Sequence, residues 1–319
     1  MAPGPILDVD LLRFEQGDST ARRAVVDGVM RSLRSGFVFT AHDIPGAIID
    51  EAYQILDKFF ALDSATKLGS VAPGSHGQTG YTGLLVETAA SAEVADWKEM
   101  LNWGVALPPA HPLRRKYPHR YMDPVLPEAA CPGISEILMR LHRHLFEVQR
   151  RFLRIIAVGL GAHEEYFDRM LSDGPTLSRA INYPPMAAAP GAAHVWAAEH
   201  GDINLITALP RATAPGLQVF TADGWIDAVA PDDQVIINTG MMLELISNGT
   251  IPTGIHRVVA DGSQQGSRLS VVQFAHPTPW TILSPLGSCV TSEHPTRYSP
   301  IEAGDRLDQV LWDINLIER

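Results

Sequence analysis

The sequence predicts an α+β fold in which a double-stranded β-helix (a jelly-roll or cupin-like core) is flanked by helices. Three observations indicate this fold class. Apolar residues recur at helical spacing in the first half of the chain. Short β-type runs between Gly, Pro, Asn and Asp fill the second half, which also carries a His-x-Asp pair and a distant His. Many short strands at regular spacing are typical of a sandwich, a barrel or a jelly roll.

Helices are predicted where apolar residues recur every three or four positions. One begins near Ile48, and a longer one follows Pro132 and ends at Gly159 or Gly161, where glycine suits a C-terminal cap. A last helix is predicted at 306–317, with its apolar residues on one side. The helical elements therefore lie mainly before the β region, with one after it.

Strands are predicted after about residue 177, where each β-type run is bounded by turn residues. The runs are 205–209, 216–220, 234–238, 254–259 and 269–274. We expect four regions: a mixed helix and strand region at 1–120, long supporting helices at 121–175, the jelly-roll core at 176–290, and a C-terminal helix at 291–319 that forms a lid or a partner contact. Because no internal repeat or linker separates them, we expect one body.

Composition narrows the classes of function. The chain has 319 residues, 45% of them hydrophobic, and a net charge of −11, which argues against nucleic acid as a partner because phosphate binding needs a cationic surface. Cys131 and Cys289 are too few for a disulfide framework, so we expect the cytoplasm. Neither a signal-peptide pattern nor an apolar run of membrane length is present in the sequence, so no membrane partner is expected. The oligomeric state is left open.

The pair His200 and Asp202, together with the distant His256, predicts a metal site. Residues i and i+2 of a strand share one face, so His200 and Asp202 can point at one ion from a strand and its exit. Two imidazoles and one carboxylate form the facial triad that holds Fe(II) and leaves positions open for O2 and an organic co-substrate. The structural alternative is a loop histidine and an ordinary strand histidine.

Arg268 and Ser270 are expected on one face of a strand. Arg268 lies twelve residues after His256, and Ser270 follows two residues later. A buried arginine is costly unless it is paired, and its fork of N–H donors suits a carboxylate. The distal carboxylate of 2-oxoglutarate fits this position, and Tyr183 would add a phenolic donor from a neighbouring strand. The alternative is a structural salt bridge to one of the acidic residues of the chain.

The remaining histidines near these elements are weaker candidates. His142 and His144 fall in the long helix and are expected on its polar surface. No carboxylate lies two residues after His194, His276 or His294, and His276 is expected to be a structural residue at a strand end. His194 is close enough to the expected pocket entrance to contact substrate.

Motifs along nearly the whole chain occur in an order typical of one enzyme family. They are Gly36-Phe37-Val38-Phe39, Gly80-Tyr81 with Glu87, Asp96-Trp97-Lys98-Glu99, Tyr183-Pro184-Pro185, His200-Gly201-Asp202, Gly216-Leu217-Gln218-Val219, Ser247-Asn248-Gly249, His256-Arg257-Val258, and Arg268-Leu269-Ser270 with Phe274. This order resembles that of the isopenicillin N synthase-like group of Fe(II)/2-oxoglutarate-dependent dioxygenases.

The resemblance implies cofactors, roles and a reaction. His200, Asp202 and His256 match the catalytic iron ligands of the family, and Arg268, Ser270 and Tyr183 match its contacts to 2-oxoglutarate. Fe(II), 2-oxoglutarate and O2 are the implied cofactors, and hydroxylation of an unactivated C–H bond is the implied reaction. The Ala-, Gly- and Arg-rich composition favours a bacterial source, so a small-molecule substrate of specialised metabolism, such as antibiotic biosynthesis, is expected.

Three other functions are compatible with the same motifs. One is an oxidase of isopenicillin N synthase type that does not use 2-oxoglutarate, in which Arg268 binds the carboxylate of the substrate itself. Another is an ethylene-forming type that fragments 2-oxoglutarate. A third is a non-catalytic binding protein on the same scaffold, although loss of a metal ligand would be expected for it.

The chain departs from the family pattern at three places. Ile181 stands where the family often has Asn, Pro210-Arg211 stands where many members have Gln, and Asn238-Thr239-Gly240-Met241 replaces Asn-x-Gly-Asp. Because these positions are expected near the pocket, the substrate is not inferred from plant members. Arg211 is a candidate for pairing with a substrate carboxylate.

Overall fold

A computed structural model describes residues 6–75, 77–89, 92–261 and 264–313. The strands are β1 Asp8–Asp10, β2 Phe37–Ala41, β3 Gly80–Thr82, β4 Glu99–Gly104, β5 Leu177–Tyr183, β6 Ala197–His200, β7 Ile206–Leu209, β8 Leu217–Thr221, β9 Gly224–Asp227, β10 Gln234–Thr239, β11 His256–Val258, β12 Arg268–Ala275, β13 Ile282–Leu283 and β14 Ile301–Glu302. The helices are α1 Leu11–Gln16, α2 Ser19–Ser32, α3 Gly46–Phe60, α4 Ser64–Leu68, α5 Pro112–Lys116, α6 Ile134–Gly159, α7 Asp168–Leu171, α8 Met241–Ile246 and α9 Ala303–Asp313.

The core is built from two mainly antiparallel sheets. The larger has eight strands in the order β1-β2-β10-β7-β12-β5-β4-β3, and the smaller has four in the order β6-β11-β8-β9. The β13–β14 pair forms a separate two-stranded sheet. This arrangement confirms the predicted jelly-roll core with flanking helices, and the five predicted strands lie within one or two residues of their expected bounds. The division into four regions stays a prediction.

Helix α6 is the main support of the larger sheet. Most of its apolar residues are buried, and the helix packs against α2, α3 and strand β12. It ends at Gly159, as the glycine pattern predicts. In the described ranges, no helix combines the length and the apolar character needed to cross a membrane. The last helix begins at Ala303, three residues earlier than expected, and its predicted end at 314–317 lies outside the described residues.

The prediction that His142 lies on the polar surface of its helix is wrong. The side chain is 1% exposed, and its Nδ1 shares a hydrogen bond of 2.8 Å with Oγ of Ser178 on β5. Because α6 lies against the sheet, its buried face is wider than its apolar stripe and includes this polar residue. Burial lowers the pKa of His142 to about 4, so the imidazole is neutral in the folded protein.

A close approach between two glycines aligns β2 with the segment that leads into β11. Gly36 has φ +81°, and a Cβ added there would lie 2.4 Å from Cα of Gly254. A Cβ on Gly254 would in turn lie 2.7 Å from the carbonyl oxygen of Gly36. Only glycine allows this contact, because backbone atoms cannot move aside as a flexible side chain can. The contact places the segment two residues before His256.

We expect Gly36→Ala to lower the free energy of unfolding by about 2–4 kcal/mol, since it adds left-handed backbone strain and a backbone clash. Urea unfolding followed by circular dichroism measures the change. The matched control is Gly46→Ala in α3, where an added Cβ meets nothing within 4 Å. That variant should be as stable as the wild type or more so. A Gly36→Ala variant of unchanged stability would contradict the proposed close approach.

We also expect His142 to make stability depend on pH. Its pKa is about 4 in the folded protein, below the ordinary 6.5. Between these two pH values the unfolded chain binds a proton at this residue, whereas the folded protein does not. Stability is therefore lost as the pH falls from 6.5 towards 4, by about 2 kcal/mol between pH 7.5 and 5. His142→Gln should reduce this loss by that amount in urea titrations at the two pH values. An identical pH dependence in the variant would rule out the buried neutral histidine as its source.

Candidate metal and co-substrate site

Strand pairing brings the predicted metal ligands together. His200 is the last residue of β6, Asp202 follows two residues later, and His256 is the first residue of β11. In the antiparallel pair of β11 and β6, His256 lies directly opposite His200. The two rings lie 4.3 Å apart between centroids, and one potential ligand atom from each of the three residues lies within 4.8 Å of the others. The geometry is that of a site in which three side chains bind one metal ion.

Backbone carbonyls orient both imidazoles. Nδ1 of His200 lies 2.8 Å from the carbonyl oxygen of Ala198, and Nδ1 of His256 lies 3.1 Å from that of Gly254. A carbonyl only accepts hydrogen bonds, so Nδ1 carries the proton in each ring and Nε2 keeps its lone pair. Both histidines are therefore held in the tautomer that a metal requires.

The carboxylate of Asp202 is held by two donors. Asn238 donates to Oδ2 at 2.7 Å and Thr207 donates to the same oxygen at 2.5 Å, which leaves Oδ1 for an ion. Burial acts to raise the pKa of Asp202, but the neighbouring His256 and His200 and the two hydrogen bonds outweigh it and lower the pKa. The carboxyl group is therefore ionised at neutral pH.

The donor set fits Fe(II). Burial, with the adjacent His256, lowers the pKa of His200 to about 4, so this imidazole is neutral. A neutral imidazole and an ionised carboxylate are ligands that Fe(II) accepts, and three such ligands leave positions open for other molecules. Asn238 and Thr207, which hold the carboxylate, were not predicted as site residues. Asn238 could have been found, because it opens the Asn-x-Gly element that departs from the family pattern.

Arg268, on strand β12 of the larger sheet, lines the same cavity as the three predicted metal ligands. It is 1% exposed, donates to Oγ of Ser270 at 3.2 Å and to the carbonyl of Ala214 at 3.0 Å, and lies 5.2 Å from the ring centroid of Tyr183. Tyr183 is its partner in the register of β5 and β12. In the ranges that the structure describes, no carboxylate forms an ion pair with Arg268, although burial lowers its pKa and disfavours the lone charge. The predicted salt-bridge alternative is therefore not seen there, and the position is suited to an anionic ligand.

The cavity between the two sheets has a volume of about 380 Å³. Its walls include the three metal-cluster residues together with Arg268, Ser270 and Tyr183. Away from Arg268, the wall carries charges that are paired with one another. Lys98 lies 2.8 Å from Asp96 and 3.3 Å from Glu87, and Arg179 lies 3.5 Å from Glu87. Glu87, Asp96 and Lys98, which belong to two of the sequence motifs, therefore lie in the cavity wall.

The structure does not bring the two predicted substrate contacts to this cavity. Arg211 forms an ion pair with Asp50 and lies 5.6 Å from the ring centroid of Tyr53. His194 uses Nδ1 in a 2.9 Å hydrogen bond with the carbonyl of Ala95. Neither residue is part of the cavity wall. Contact of Arg211 and His194 with substrate stays a prediction that this geometry does not support.

Two family matches cover most of the chain. Residues 5–128 match the N-terminal region of the non-haem dioxygenase in morphine synthesis, and residues 175–277 match the 2OG-Fe(II) oxygenase superfamily. The second match contains all six residues of the predicted metal and co-substrate sites. The similarity therefore includes the part of the chain that forms the cavity described above.

Three relatives give the extent of the similarity. A 2OG-Fe(II) oxygenase family protein from Caulobacter crescentus is 31% identical, with a TM-score of 0.84, over 99% of this chain and 100% of the other. A full-length Neurospora crassa protein in complex with alpha-KG is 25% identical, with a TM-score of 0.83, over 96% of this chain and 95% of the other. Isopenicillin N synthase of Lysobacter lactamgenus is 31% identical over 196 residues, which span only 59% of its length and 59% of this chain.

We expect Asn238→Ala to weaken Fe(II) binding about tenfold, because partners that orient a metal ligand typically contribute about 10- to 100-fold to affinity. Anaerobic calorimetric titration of Fe(II) measures the change. The matched control is Asn182→Ala, which removes another asparagine that donates to a buried carboxylate, that of Glu99 at 2.8 Å. This control should bind Fe(II) as the wild type does. Equal affinities in Asn238→Ala and the wild type would exclude a role for Asn238 in holding Asp202 for the metal.

Proposed function

We propose that this chain, which belongs to the 2OG-Fe(II) oxygenase superfamily, oxidises a C–H bond of a small molecule, with 2-oxoglutarate as co-substrate. The predicted family and the predicted fold class are confirmed. Enzymes of this family are oxidoreductases that use Fe(II), 2-oxoglutarate and O2, and the His-Asp-His cluster of the chain supports the same cofactors here. Hydroxylation is the proposed outcome.

The proposal rests on one observation. Arg268 is buried in the cavity of the three metal-binding residues, and it has no acidic partner among the described residues. A buried charge without a counter-ion costs several kcal/mol, so a protein retains one where a ligand supplies the opposite charge. The distal carboxylate of 2-oxoglutarate can accept from Arg268 and from Ser270, while its keto-acid end faces the cluster. The similarity to the Neurospora crassa protein in complex with alpha-KG supports this assignment.

The residues of the chain position and protect the reactants. His200, Asp202 and His256 would hold Fe(II), which when bound supplies O2 activation coupled to the oxidative decarboxylation of 2-oxoglutarate to succinate and CO2. Asn238 and Thr207 keep the carboxylate of Asp202 oriented, and the backbone carbonyls keep both imidazoles in one tautomer. Positioning of this kind, together with exclusion of water, is what a protein contributes to cofactor chemistry.

A small substrate follows from the size of the cavity. A volume of about 380 Å³ lies at the low end of ligand pockets, and 2-oxoglutarate must share it. Leu307, Val310 and Leu311 of α9 form part of the wall, so the C-terminal helix is proposed as a lid over the substrate. Bacterial specialised metabolism is part of the same proposal and is supported by the isopenicillin N synthase relative.

We also propose a cytoplasmic location, on the evidence of the cysteines. Cys131 and Cys289 are both free thiols and both buried. Structural disulfides are rare in reducing compartments, so unpaired cysteines are expected there.

The second candidate is an oxidase of isopenicillin N synthase type. It is favoured by the similarity to isopenicillin N synthase, at 31% identity over the aligned region. In that case Arg268 would bind a carboxylate of the substrate itself, and 2-oxoglutarate would not be needed. The two candidates differ in whether the protein with Fe(II) binds 2-oxoglutarate in the absence of substrate.

We expect anaerobic addition of Fe(II) and then 2-oxoglutarate to produce the visible charge-transfer band of a chelated keto acid. His200→Ala should abolish the band. Arg268→Ala should raise the dissociation constant of 2-oxoglutarate about 100-fold, because it removes one partner of a buried, charge-assisted contact. Titration of the band measures both effects.

The matched control is Arg257→Ala, on the strand that carries His256. Arg257 donates to Gln218 at 2.9 Å and lies 4.2 Å from the ring centroid of Trp225, so its removal should leave 2-oxoglutarate binding unchanged. If Fe(II) binds to the wild type but no band develops, 2-oxoglutarate is not the co-substrate. The oxidase then becomes the first candidate.

A further inference from the structure

A β-bulge lies directly beside the metal site. Two residue pairs define the register of β6 and β11: His200 with His256, and Ala197 with Val258. Between these pairs β6 advances three residues and β11 advances two, so β6 carries one extra residue and bulges around Ala198. A bulge interrupts the ladder of hydrogen bonds and re-aims the side chains beside it. The direction of the first metal ligand is therefore set by an irregular piece of strand.

Ala198, within this bulge, orients His200. Its carbonyl oxygen lies 2.8 Å from Nδ1 of His200 and selects the tautomer of that ring. Its N–H donates at 3.0 Å to Oδ1 of Asp96, a residue of the segment that leads into β4. In the described structure β6 is an edge strand of the smaller sheet, so a side chain occupies the side where another strand would pair. The backbone of one residue thus connects Asp96 with the metal ligand.

Further contacts hold the segment of Asp96 against the chain that enters β6. The backbone N–H of Trp97 donates to the carbonyl of Val195 at 2.8 Å, and Nδ1 of His194 lies 2.9 Å from the carbonyl oxygen of Ala95. Because the segment continues into β4 of the larger sheet, these contacts tie the edge strand of one sheet to the other sheet. Asp96 therefore reaches β6 from a well-supported position.

The charge of Asp96 is balanced by a chain of ion pairs. The residue is 2% exposed, and Oδ2 lies 2.8 Å from Nζ of Lys98. Lys98 lies 3.3 Å from Glu87, which lies 3.5 Å from Arg179 of β5. Burial acts to lower the pKa of Lys98, but Glu87 and Asp96 outweigh it and raise the pKa, so the lysine is charged. One oxygen of Asp96 is thus used by Lys98 and the other by Ala198.

A carboxylate suits this position because two donors approach it. An ionised carboxyl group has two accepting oxygens, whereas an amide has one accepting oxygen and one donating nitrogen. An amide in the place of Asp96 would turn its NH2 group towards either Lys98 or the N–H of Ala198, and one of the two contacts would be lost. The motif Asp96-Trp97-Lys98-Glu99 thus supplies a support for β6 in addition to part of the cavity wall.

We propose that Asp96 is a positioning residue, whose carboxylate holds the bulge of β6 in the form that aims His200 at the metal. The inference rests on the proposed function, because it concerns the metal site of that function. Asp96 acts through Ala198: without an acceptor for its N–H, this residue loses the contact that fixes its backbone, and its carbonyl no longer holds the ring of His200 in one tautomer. Groups that orient metal ligands from behind contribute to metal affinity.

The test compares two double variants that differ in the acceptor offered to Ala198. Both carry Lys98→Met, so that neither leaves this lysine without its partner. One adds Asp96→Asn, whose amide oxygen can accept from the N–H of Ala198, and the other adds Asp96→Ala, which has no acceptor. In anaerobic calorimetric titrations we expect the Asp96→Asn variant to bind Fe(II) within about threefold of the wild type, and the Asp96→Ala variant to bind it about tenfold more weakly.

A second measurement needs no metal. Long-range proton–nitrogen NMR of the metal-free protein reports which ring nitrogen of His200 carries the proton, and His200→Gln identifies the signals of this ring. We expect protonation at Nδ1 in the wild type and in the Asp96→Asn double variant. The Asp96→Ala double variant should show a mixture of the two tautomers. A general loss of stability would not move this equilibrium, because the tautomer is set by the hydrogen bond that the ring makes.

Glu99→Gln is the matched control from the same motif. Glu99 is also a buried carboxylate that pairs with a lysine, but its contacts are with Lys67, Tyr81 and Asn182 instead of β6. It should lose stability in urea and keep the Fe(II) affinity and the His200 tautomer of the wild type. If the Asp96→Ala variant does not fold, Asp96→Val, which also lacks an acceptor, replaces it.

Three results would overturn the proposal. They are equal Fe(II) affinities in the two double variants, a single His200 tautomer in both, and a loss of Fe(II) affinity in Glu99→Gln as large as that in the Asp96→Ala variant. The charge-transfer band of the same samples separates this inference from the proposed function. A normal band with two equal double variants overturns the inference alone. Fe(II) binding that depends on the acceptor at position 96, in a protein without the band, supports the inference and overturns 2-oxoglutarate as co-substrate.

Discussion

The antiparallel pairing of β6 with β11 is the interaction on which the site depends. It places His256 opposite His200, and the rest of the local structure maintains that register. The glycine contact between Gly36 and Gly254 holds the segment before β11, and the backbone N–H of Met241 donates to the carbonyl of Asp202 at 2.8 Å. A shift of one residue in a strand would turn its side chains to the other face, so the cluster exists only in this register.

Polar groups in the cavity are buried at a cost that the protein alone does not fully offset. Asp202 is satisfied by Asn238 and Thr207, whereas Arg268 has only neutral partners in the described structure and Nδ1 of His276 has none. Asp202 is therefore ready to bind a cation, and Arg268 is suited to an anion. Whether a buried polar group has its hydrogen-bond or ion-pair partners within the protein distinguishes functional groups from structural ones better than burial alone does.

The surroundings of His142 and His276 are features that the sequence does not reveal. Both are buried and neutral, and they occupy an apparently polar helix face and a strand end. Nδ1 of His142 is satisfied by Ser178, while Nδ1 of His276 is buried without a partner among the described residues, although His276 is part of the cavity wall. Neither the spacing along the chain nor the residue type separates these cases. The distinction depends on which element packs against each ring.

The sequence by itself determined the fold class, the order of the elements and the chemical identity of the metal and co-substrate groups. It could do so because strand alternation and ligand chemistry are local properties, visible in His200-Gly201-Asp202, His256 and Arg268-Leu269-Ser270. Tertiary structure alone decided that Asn238 and Thr207 hold Asp202, that Arg268 lacks an acidic partner in the described residues, and that Arg211 pairs with Asp50 instead of reaching the cavity. Those contacts join residues from separate strands, loops and helices, so a sequence motif can mark a residue such as Asn238 as a candidate but cannot show which side chain it meets.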